Sequence, residues 1–207
     1  NIVIFGATGV GKSSLVNLIA GKNIAETSNG ARVCTLGARN YTMNINGHIL
    51  RLHDTSGFTS VGDNDNILAV EKAYRLIMQL ESESDIHLLL FCMRNERIST
   101  ATVNNYHLVF NILHGQTIPV IFVVTNSENE PSMENWWERH EKTLEKFGMR
   151  NAGHACVVTD PGLNGVHQEK FEESRAIMHR LLLTHCTGVS LKAEREGWLT
   201  RTTSILQ

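Results

Sequence analysis

The feature that most constrains this chain is a complete glycine-rich motif, G-x-x-x-x-G-K-S, close to its first residue. Its members are Gly6, Ala7, Thr8, Gly9, Val10, Gly11, Lys12 and Ser13. The glycines let the backbone turn so that successive N–H groups point inward at a polyphosphate. Lys12 adds a positive charge near the outer phosphates, and the Ser13 hydroxyl is placed to bind Mg²⁺. The motif therefore predicts a phosphate-binding loop.

The segments on either side of the motif are those that such a loop requires. Residues 1–5 form an apolar run of strand length, and residues 12–21 follow a helical pattern. A helix that begins at the loop presents its N-terminal amides to the same anion. We therefore expect Ser14, in the first turn of this helix, to join the phosphate-binding residues.

Composition limits the class of protein. The 207 residues suit one domain, and 42% hydrophobic and 19% charged residues are ordinary for a globular protein. A formal net charge of −2 without a block of like charges argues against a nucleic-acid partner. The cysteines lie far apart, so we expect free thiols in a reducing, cytoplasmic compartment and neither zinc nor disulfides; they are Cys34, Cys92, Cys156 and Cys186.

The sequence shows no signal peptide and no apolar run long enough for a membrane span. It begins inside a predicted strand and without Met, so we expect residues upstream of Asn1 in the full-length protein. Any membrane association would then come from segments outside this chain.

Strand-like and helix-like segments alternate, which predicts an α/β fold. We expect a three-layer sandwich of the P-loop NTPase type, with a mostly parallel six-stranded sheet and one antiparallel strand. The predicted strands are residues 1–5, 38–45, 48–54, 86–93, 118–125 and 153–159. The predicted helices are residues 12–21, about 70–80, 99–114, 132–147 and 168–186. Residues 1–187 form the predicted domain, and 188–207 a tail or short helix.

A second nucleotide-binding signal, D-x-x-G, stands at the end of the third predicted strand. It comprises Asp54, Thr55, Ser56 and Gly57. At this position the carboxylate of Asp54 can bind Mg²⁺ through water, and the Gly57 amide can donate to a γ-phosphate. The antiparallel hairpin around Asn46 and Gly47, directly before it, favours a GTPase-type sheet over a wholly parallel one.

The polar segment 21–37 is long enough to be a functional loop. A threonine in it would ligate Mg²⁺ and close over the γ-phosphate, so that the loop is ordered in the triphosphate state. Thr35 is our choice because it lies nearest the second strand, with Thr27 and Ser28 as rivals. We therefore assign Lys12, Thr35 and Gly57 to catalysis, and Ser13, Thr35 and Asp54 to the metal.

The residues after the strand 118–125 correspond in position to a base-recognition motif, [N/T]-K-x-D. This chain has Thr125, Asn126, Ser127 and Glu128. Thr125 fits, Glu128 offers a longer acidic arm, and the stacking lysine is replaced by Asn126. Guanine is favoured, while adenine or relaxed recognition stays open. Ala155 and Cys156, at the exit of the last strand, stand where a loop commonly touches the base.

The chain resembles the septin-like branch of translation-factor-class GTPases, nearest to the immunity-associated and the chloroplast-import (Toc) GTPases. The resemblance covers residues 1–185 and is carried by the motifs at 6–17 and 54–58 and by the stretch 92–99, which resembles an extra box of that branch. Residues 130–137 are similar to those of uncharacterised fungal members. The resemblance implies binding of GTP and GDP with Mg²⁺ and a nucleotide-dependent homodimer.

Two departures from Ras-like GTPases bear on hydrolysis. Phe58 stands where a glutamine would orient the attacking water, and Thr8 stands at a loop position that those proteins keep as glycine. We therefore expect slow intrinsic hydrolysis that self-association or a partner accelerates. Arg32 and Arg39 are candidates to act across such an interface.

Three functions remain open at this point. They are a GTP-hydrolysing switch, a nucleotide-dependent assembly module with little turnover, and an ATP-using enzyme such as a small-molecule kinase. The last is disfavoured because no arginine-rich lid is apparent. Outside the site, Ser132 is predicted to cap a helix, and Trp137 to join a core with Met133, Leu144 and Phe147. Trp136 is a candidate surface anchor for a partner.

Overall fold

A computed structural model describes residues 1–25, 39–55, 86–112 and 118–186 of the chain, without the side chains of 111 and 112. The strands are β1 (Ile2–Phe5), β2 (Arg39–Ile45), β3 (His48–Asp54), β4 (Leu88–Arg94), β5 (Val120–Thr125) and β6 (Gly153–Cys156). The α-helices in the described ranges are α1 (Lys12–Ala20), α2 (Thr100–Ile112), α3 (Asn135–Lys146) and α4 (Gln168–Cys186). A short 3₁₀ turn, Leu163–Gly165, precedes α4.

The strands form one six-stranded sheet in the order β2-β3-β1-β4-β5-β6. Only β2 and β3 pair antiparallel; the other neighbouring strands pair parallel. Parallel strands joined through helices place all their carboxyl ends at one edge of the sheet. The predicted fold class is confirmed, including its single antiparallel pair.

The hairpin turn has the backbone that its residues predict. Asn46 and Gly47 both have positive φ, 52° and 87°, which a two-residue turn matched to the twist of the strands requires. The Gly47 amide donates to Asn44 Oδ1 over 2.8 Å. This turn fixes the register of β3 and so brings Asp54 to the end of the strand, opposite Arg39 and beside Ile4.

Alternating side chains of the sheet divide between two apolar cores. Val3 and Phe5 face a core that α2 and α3 cover, whereas Ile2 and Ile4 face a core covered by α1 and α4. The period of two along a strand produces this division. The result is the three-layer sandwich that the sequence predicts, with helices on both faces of a buried sheet.

Three predictions around α3 are wrong. Ser132 does not cap the helix, because its carbonyl already accepts the Asn135 amide in a preceding turn and Glu134 stands directly before the first helical residue. Trp136 is not a surface anchor: it is only 2% exposed and its Nε1 donates to the Glu96 carbonyl over 2.8 Å. Phe147 lies just past the helix end, where the chain turns away, and is 46% exposed.

The remaining boundaries agree to within a few residues, except that β6 ends at Cys156 and is shorter than predicted. Trp137, Met133 and Leu144 are buried as predicted. The predicted helix near 70–80 and the tail from 188 lie outside the described residues. Among the helices that are described, none combines the length and the apolar character needed to cross a membrane.

We predict that Tyr106→Phe lowers the free energy of unfolding by about 1–3 kcal/mol, because two hydrogen bonds to the backbone of Arg150 are lost. Tyr106 lies in the α2 core, donates to the Arg150 carbonyl over 2.8 Å and accepts from the Arg150 amide over 3.0 Å. Urea unfolding measures the change. Tyr41→Phe, on the half-exposed surface of β2, is the control and should change stability by less than about 0.5 kcal/mol. Equal effects of the two substitutions would contradict the prediction.

Candidate nucleotide-binding site

The predicted site residues meet at the carboxyl edge of the sheet. The glycine-rich loop follows β1, Asp54 ends β3, and Thr125 ends β5. Open α/β sheets bind ligands at this edge, where the loops diverge. The sheet topology therefore brings together segments that lie far apart in sequence.

The loop needs glycine at its first position for a steric reason. Gly6 has φ of 146°, and a Cβ built there would lie 2.3 Å from the carbonyl oxygen of Cys92 on the neighbouring strand β4. No side chain fits at that distance. A Cβ at Gly9, in contrast, would meet no atom within 4 Å, so this part of the loop faces open space. The loop is thus pressed against the sheet at one end and open where a phosphate would lie.

Lys12, at the start of α1, holds its ammonium group inside the loop. Nζ donates to the carbonyl oxygens of Gly6 over 3.1 Å and Ala7 over 2.8 Å. The side chain is buried, and desolvation lowers the pKa of Lys12, while the nearby Cys92 and Asp54 oppose that shift. The cation has no side-chain carboxylate bonded to it within the described part of the chain, so its charge is available to an anion in the loop.

Ser13 and Asp54 are joined directly. Ser13 Oγ donates to Asp54 Oδ2 over 2.9 Å. The other oxygen, Oδ1, is buried and has no hydrogen-bond partner among the described residues. Burial raises the pKa of Asp54, against the Ser13 hydrogen bond and the positive charges of Lys12 and Arg39. One oxygen of the Asp54 carboxylate is therefore without a partner, and a bound ligand can supply that partner.

These groups fit Mg²⁺, which binds oxygen ligands and retains several waters. Ser13 and Asp54 place a hydroxyl and an unsatisfied carboxylate oxygen next to the phosphate-binding loop. When bound, the ion would neutralise phosphate charge. The third predicted ligand, Thr35, lies outside the described residues, as do its rivals Thr27 and Ser28.

The predicted base-recognition residues form a turn anchored to the phosphate loop. Thr125 is fully buried, and its Oγ1 donates to the carbonyl oxygen of Val10 over 2.7 Å. Asn126 is exposed, with a left-handed φ of 63°, and Ser127 is fully buried. Glu128 is half-buried. The buried members fix the turn, and Asn126 and Glu128 are the ones that solvent or a ligand can reach.

The prediction that Ala155 and Cys156 touch the base does not fit the structure. Both side chains are 0% exposed within β6, and burial raises the pKa of the Cys156 thiol to about 12. A side chain without exposed surface cannot contact an added ligand unless the strand rearranges. The chain reaches the surface only at Thr159 and Asp160.

Other predicted residues are placed as follows. In the loop, Thr8 is exposed, and Ser14 is half-buried in the first turn of α1. Arg39 is exposed on β2 and contributes positive charge at Asp54. Gly57, Phe58 and Arg32 lie outside the described residues, so their predicted roles stay predictions.

Asn17 is a site residue that the sequence analysis missed. It lies on the buried side of α1, where its Oδ1 accepts from the amides of Ile24 over 2.8 Å and Ala25 over 2.7 Å. Its Nδ2 donates to the Ala25 carbonyl over 2.9 Å. These bonds hold the start of the segment that was predicted to contain the switch threonine. The sequence did carry a signal for this role, because Asn17 is an amide side chain among the apolar positions Leu15, Leu18 and Ile19.

Comparison with known families agrees with this geometry. The model of a family described as 50S ribosome-binding GTPase matches residues 1–126, which span the glycine-rich loop, Asp54 and Thr125. The chain belongs to this GTPase family. No curated protein matches the sequence significantly.

Solved structures share the fold of this GTPase domain. Toc33 from Arabidopsis thaliana, in complex with GDP and Mg²⁺, has a TM-score of 0.59 at 18% identity over 77% of this chain and 70% of that one. The Toc33 and Toc159 components of the chloroplast translocon, for which dimerisation is described as important for GTPase activity, give 0.58 at 21% identity over 77% and 69%.

Era from Aquifex aeolicus, bound to GDP·AlF4⁻, gives a TM-score of 0.61 at 16% identity over 91% of this chain and 57% of that one. The resemblance to Toc GTPases is therefore confirmed at the level of fold. The septin-like, immunity-associated and fungal parts of the predicted resemblance stay predictions.

We predict that Asp54→Asn raises the free energy of unfolding of the nucleotide-free GTPase domain by about 0.5–2 kcal/mol, the usual gain from relieving an unfavourable functional group. Folding raises the pKa of Asp54, so the folded state binds its proton more tightly than the unfolded state. Ionisation therefore destabilises the fold at neutral pH, and a neutral amide removes this cost.

Urea unfolding at pH 7, with and without Mg²⁺ and GDP, measures the effect. Asp160→Asn, at an exposed carboxylate, is the matched control and should leave stability nearly unchanged. The wild type should gain more stability from Mg²⁺ and GDP than Asp54→Asn does. A nucleotide-free Asp54→Asn protein less stable than the wild type would contradict the prediction.

Proposed function

We propose that this GTPase domain is a nucleotide-dependent switch that binds GTP with Mg²⁺ and hydrolyses it slowly, with turnover accelerated by homodimerisation. The observation that carries the proposal is the pairing of Ser13 with Asp54 beside the phosphate loop. It leaves one buried carboxylate oxygen without a partner where a phosphate-bound cation would lie. We propose a cytoplasmic location, guanine nucleotide and a second copy as partners, and no nucleic acid.

The residues of the phosphate and metal site each have a definite role in this proposal. The loop amides surround the β- and γ-phosphates, and Lys12 supplies a positive charge once its ammonium turns from the Gly6 and Ala7 carbonyls to the anion. Ser13 and Asp54 would hold the magnesium ion. Catalysis of phosphoryl transfer consists mainly of such positioning and charge stabilisation.

Guanine recognition is proposed from the Thr125–Glu128 turn. A carboxylate accepts hydrogen bonds from adjacent N–H groups, and guanine, unlike adenine, offers two such donors on one edge. Glu128 is half-buried and follows a segment that Thr125 ties to the phosphate loop. Asn126 cannot stack an aliphatic stem on the base as lysine does, so we expect guanine preference to be weaker than in GTPases that carry the lysine.

Dimer-stimulated turnover is proposed from two features. Phe58 cannot orient water by hydrogen bonding, so the chain by itself lacks a common means of activating the nucleophile. For the solved Toc33 and Toc159 proteins, dimerisation is described as important for GTPase activity. We propose that this domain likewise completes its site across a pair of nucleotide-bound copies.

We predict that turnover of GTP at low protein concentration stays below about 10⁻² s⁻¹, as expected without a supplied arginine. The rate per protomer should rise with protein concentration. Phosphate release, recorded together with molecular mass by light scattering, tests this. A rate per protomer that is constant while dimers form would contradict dimer stimulation and favour an assembly module. Faster turnover of ATP than of GTP would contradict guanine specificity.

Lys12→Ala is the control for the site itself. It removes the only charged side chain within the loop, so both nucleotide binding and turnover should be lost. Turnover that persists in this variant would show that the activity comes from another site or a contaminant.

A further inference from the structure

A lysine from a helix distant in sequence binds the backbone of the predicted base-recognition turn. Lys170 lies in the first turn of α4, and its Nζ donates to the carbonyl oxygen of Glu128 over 3.0 Å and to that of Glu130 over 2.6 Å. A lysine ammonium has three donors and no acceptor, so one side chain can bind two carbonyl groups at once. Lys170 therefore fixes the backbone at the residue predicted to read the base.

The start of the turn is held by other contacts. Thr125 Oγ1 bonds to the phosphate loop, and the Ser127 amide donates to the carbonyl of Val157 over 3.3 Å. Among the hydrogen bonds that the structure describes, no other side chain contacts the backbone of Glu128. Since Cα and carbonyl positions determine where a side chain starts, the Lys170 contact bears directly on the placement of the Glu128 carboxylate.

Glu130 holds the far end of the same turn. Arg139 of α3 donates to both of its carboxylate oxygens, and Asn95, just after β4, donates to Oε1 over 3.2 Å. The Arg139 hydrogen bonds are the main cause that lowers the pKa of Glu130. Lys170 thus binds the turn at Glu128 and Glu130, and the Arg139 and Asn95 side chains bind it at Glu130.

The helix that carries Lys170 also contacts the end of α1, the helix that follows the phosphate loop. His179 of α4 lies 2.8 Å, Nε2 to oxygen, from the carbonyl of Ile19 near the end of α1. Arg175 packs its guanidinium over Gly21, where a Cβ would lie within 2.3 Å of it. The helix α4 therefore contacts both the base-recognition turn proposed here and the helix that begins at the phosphate loop.

We propose that Lys170 is a positioning residue for base recognition, which sets the guanine preference of this domain by fixing the backbone of Glu128. The inference rests on the proposed function, in which Glu128 reads the base. The described hydrogen bonds of the Lys170 side chain involve neither the phosphate loop nor the predicted metal ligands. Its loss should therefore weaken recognition of the base and leave binding of the phosphate chain intact.

Lys170→Met tests this, because it keeps the aliphatic stem and removes the donors. The affinity for GDP should fall about tenfold, the loss of roughly one charge-assisted hydrogen bond, whereas the affinity for magnesium tripolyphosphate, which has no base, should not change. Lys170→Arg, which can still bind two carbonyl groups, should restore most of the GDP affinity. Lys146→Met, at an exposed position of α3, is the matched control.

A second pair of variants tests whether Lys170 acts through Glu128. In the Glu128→Ala background, Lys170→Met should change the ratio of GDP to ADP affinity less than about twofold. Lys170→Gln is measured in parallel and keeps the test valid if the methionine variant folds poorly.

The outcomes separate this inference from the proposed function. Equal losses of GDP and tripolyphosphate affinity, or a Lys170→Met protein that binds GDP like the Lys146→Met control, would overturn the role of Lys170. An undiminished effect of Lys170→Met in the Glu128→Ala background would do the same. If the wild type itself binds ADP as tightly as GDP, the proposed guanine preference is wrong, whatever the Lys170 variants do.

Discussion

The hydrogen bond from Ser13 to Asp54 is the contact on which the site depends. It joins the first turn of α1 to the end of β3 across 41 positions of sequence. It satisfies only one oxygen of a buried carboxylate, and the other has no partner in the described part of the chain. An isolated protein gains nothing from such an arrangement, since buried polar atoms without partners cost free energy. A bound cation removes that cost.

The sheet makes this contact possible. Asp54 lies beside Ile4 in parallel register, so the ends of β1 and β3 leave the sheet at the same level. Thr125, at the end of β5, reaches across to the Val10 carbonyl and ties the base-recognition turn to the same loop. Because these groups stand at the ends of strands of one buried sheet, their relative positions depend little on the surrounding loops.

Sequence reasoning succeeded where a motif and a period carried the information. The glycine-rich loop, the Asn46–Gly47 turn and the alternating strands predicted the fold, and the fold brings the motifs together at one edge of the sheet. It failed where a tertiary contact decides the outcome. Trp136 was a candidate for the surface because two adjacent helical residues point in different directions, but the residue is buried and its Nε1 donates to the Glu96 carbonyl. Ala155 and Cys156 were expected near the base, at the exit of the last strand, because the pattern did not show that β6 buries them.

The contacts of Lys170 could not have been predicted for a related reason. A single lysine in the first turn of an amphipathic helix is typical of a solvated surface, and the carbonyl oxygens that it binds leave no trace in the sequence. The contacts of Asn17 were easier to predict from the sequence, since an amide side chain on an apolar helix face needs hydrogen-bond partners. A buried polar side chain therefore gives a signal, whereas a charged one that binds backbone gives none.

The most direct test is a calorimetric titration of the intact chain with GDP and with ADP, each in the presence and absence of Mg²⁺. Binding of one nucleotide per chain, tighter for GDP than for ADP and strengthened by Mg²⁺, is the predicted result. The absence of binding heat for either nucleotide, with a folded protein and with Mg²⁺ present, would contradict the assignment of the site.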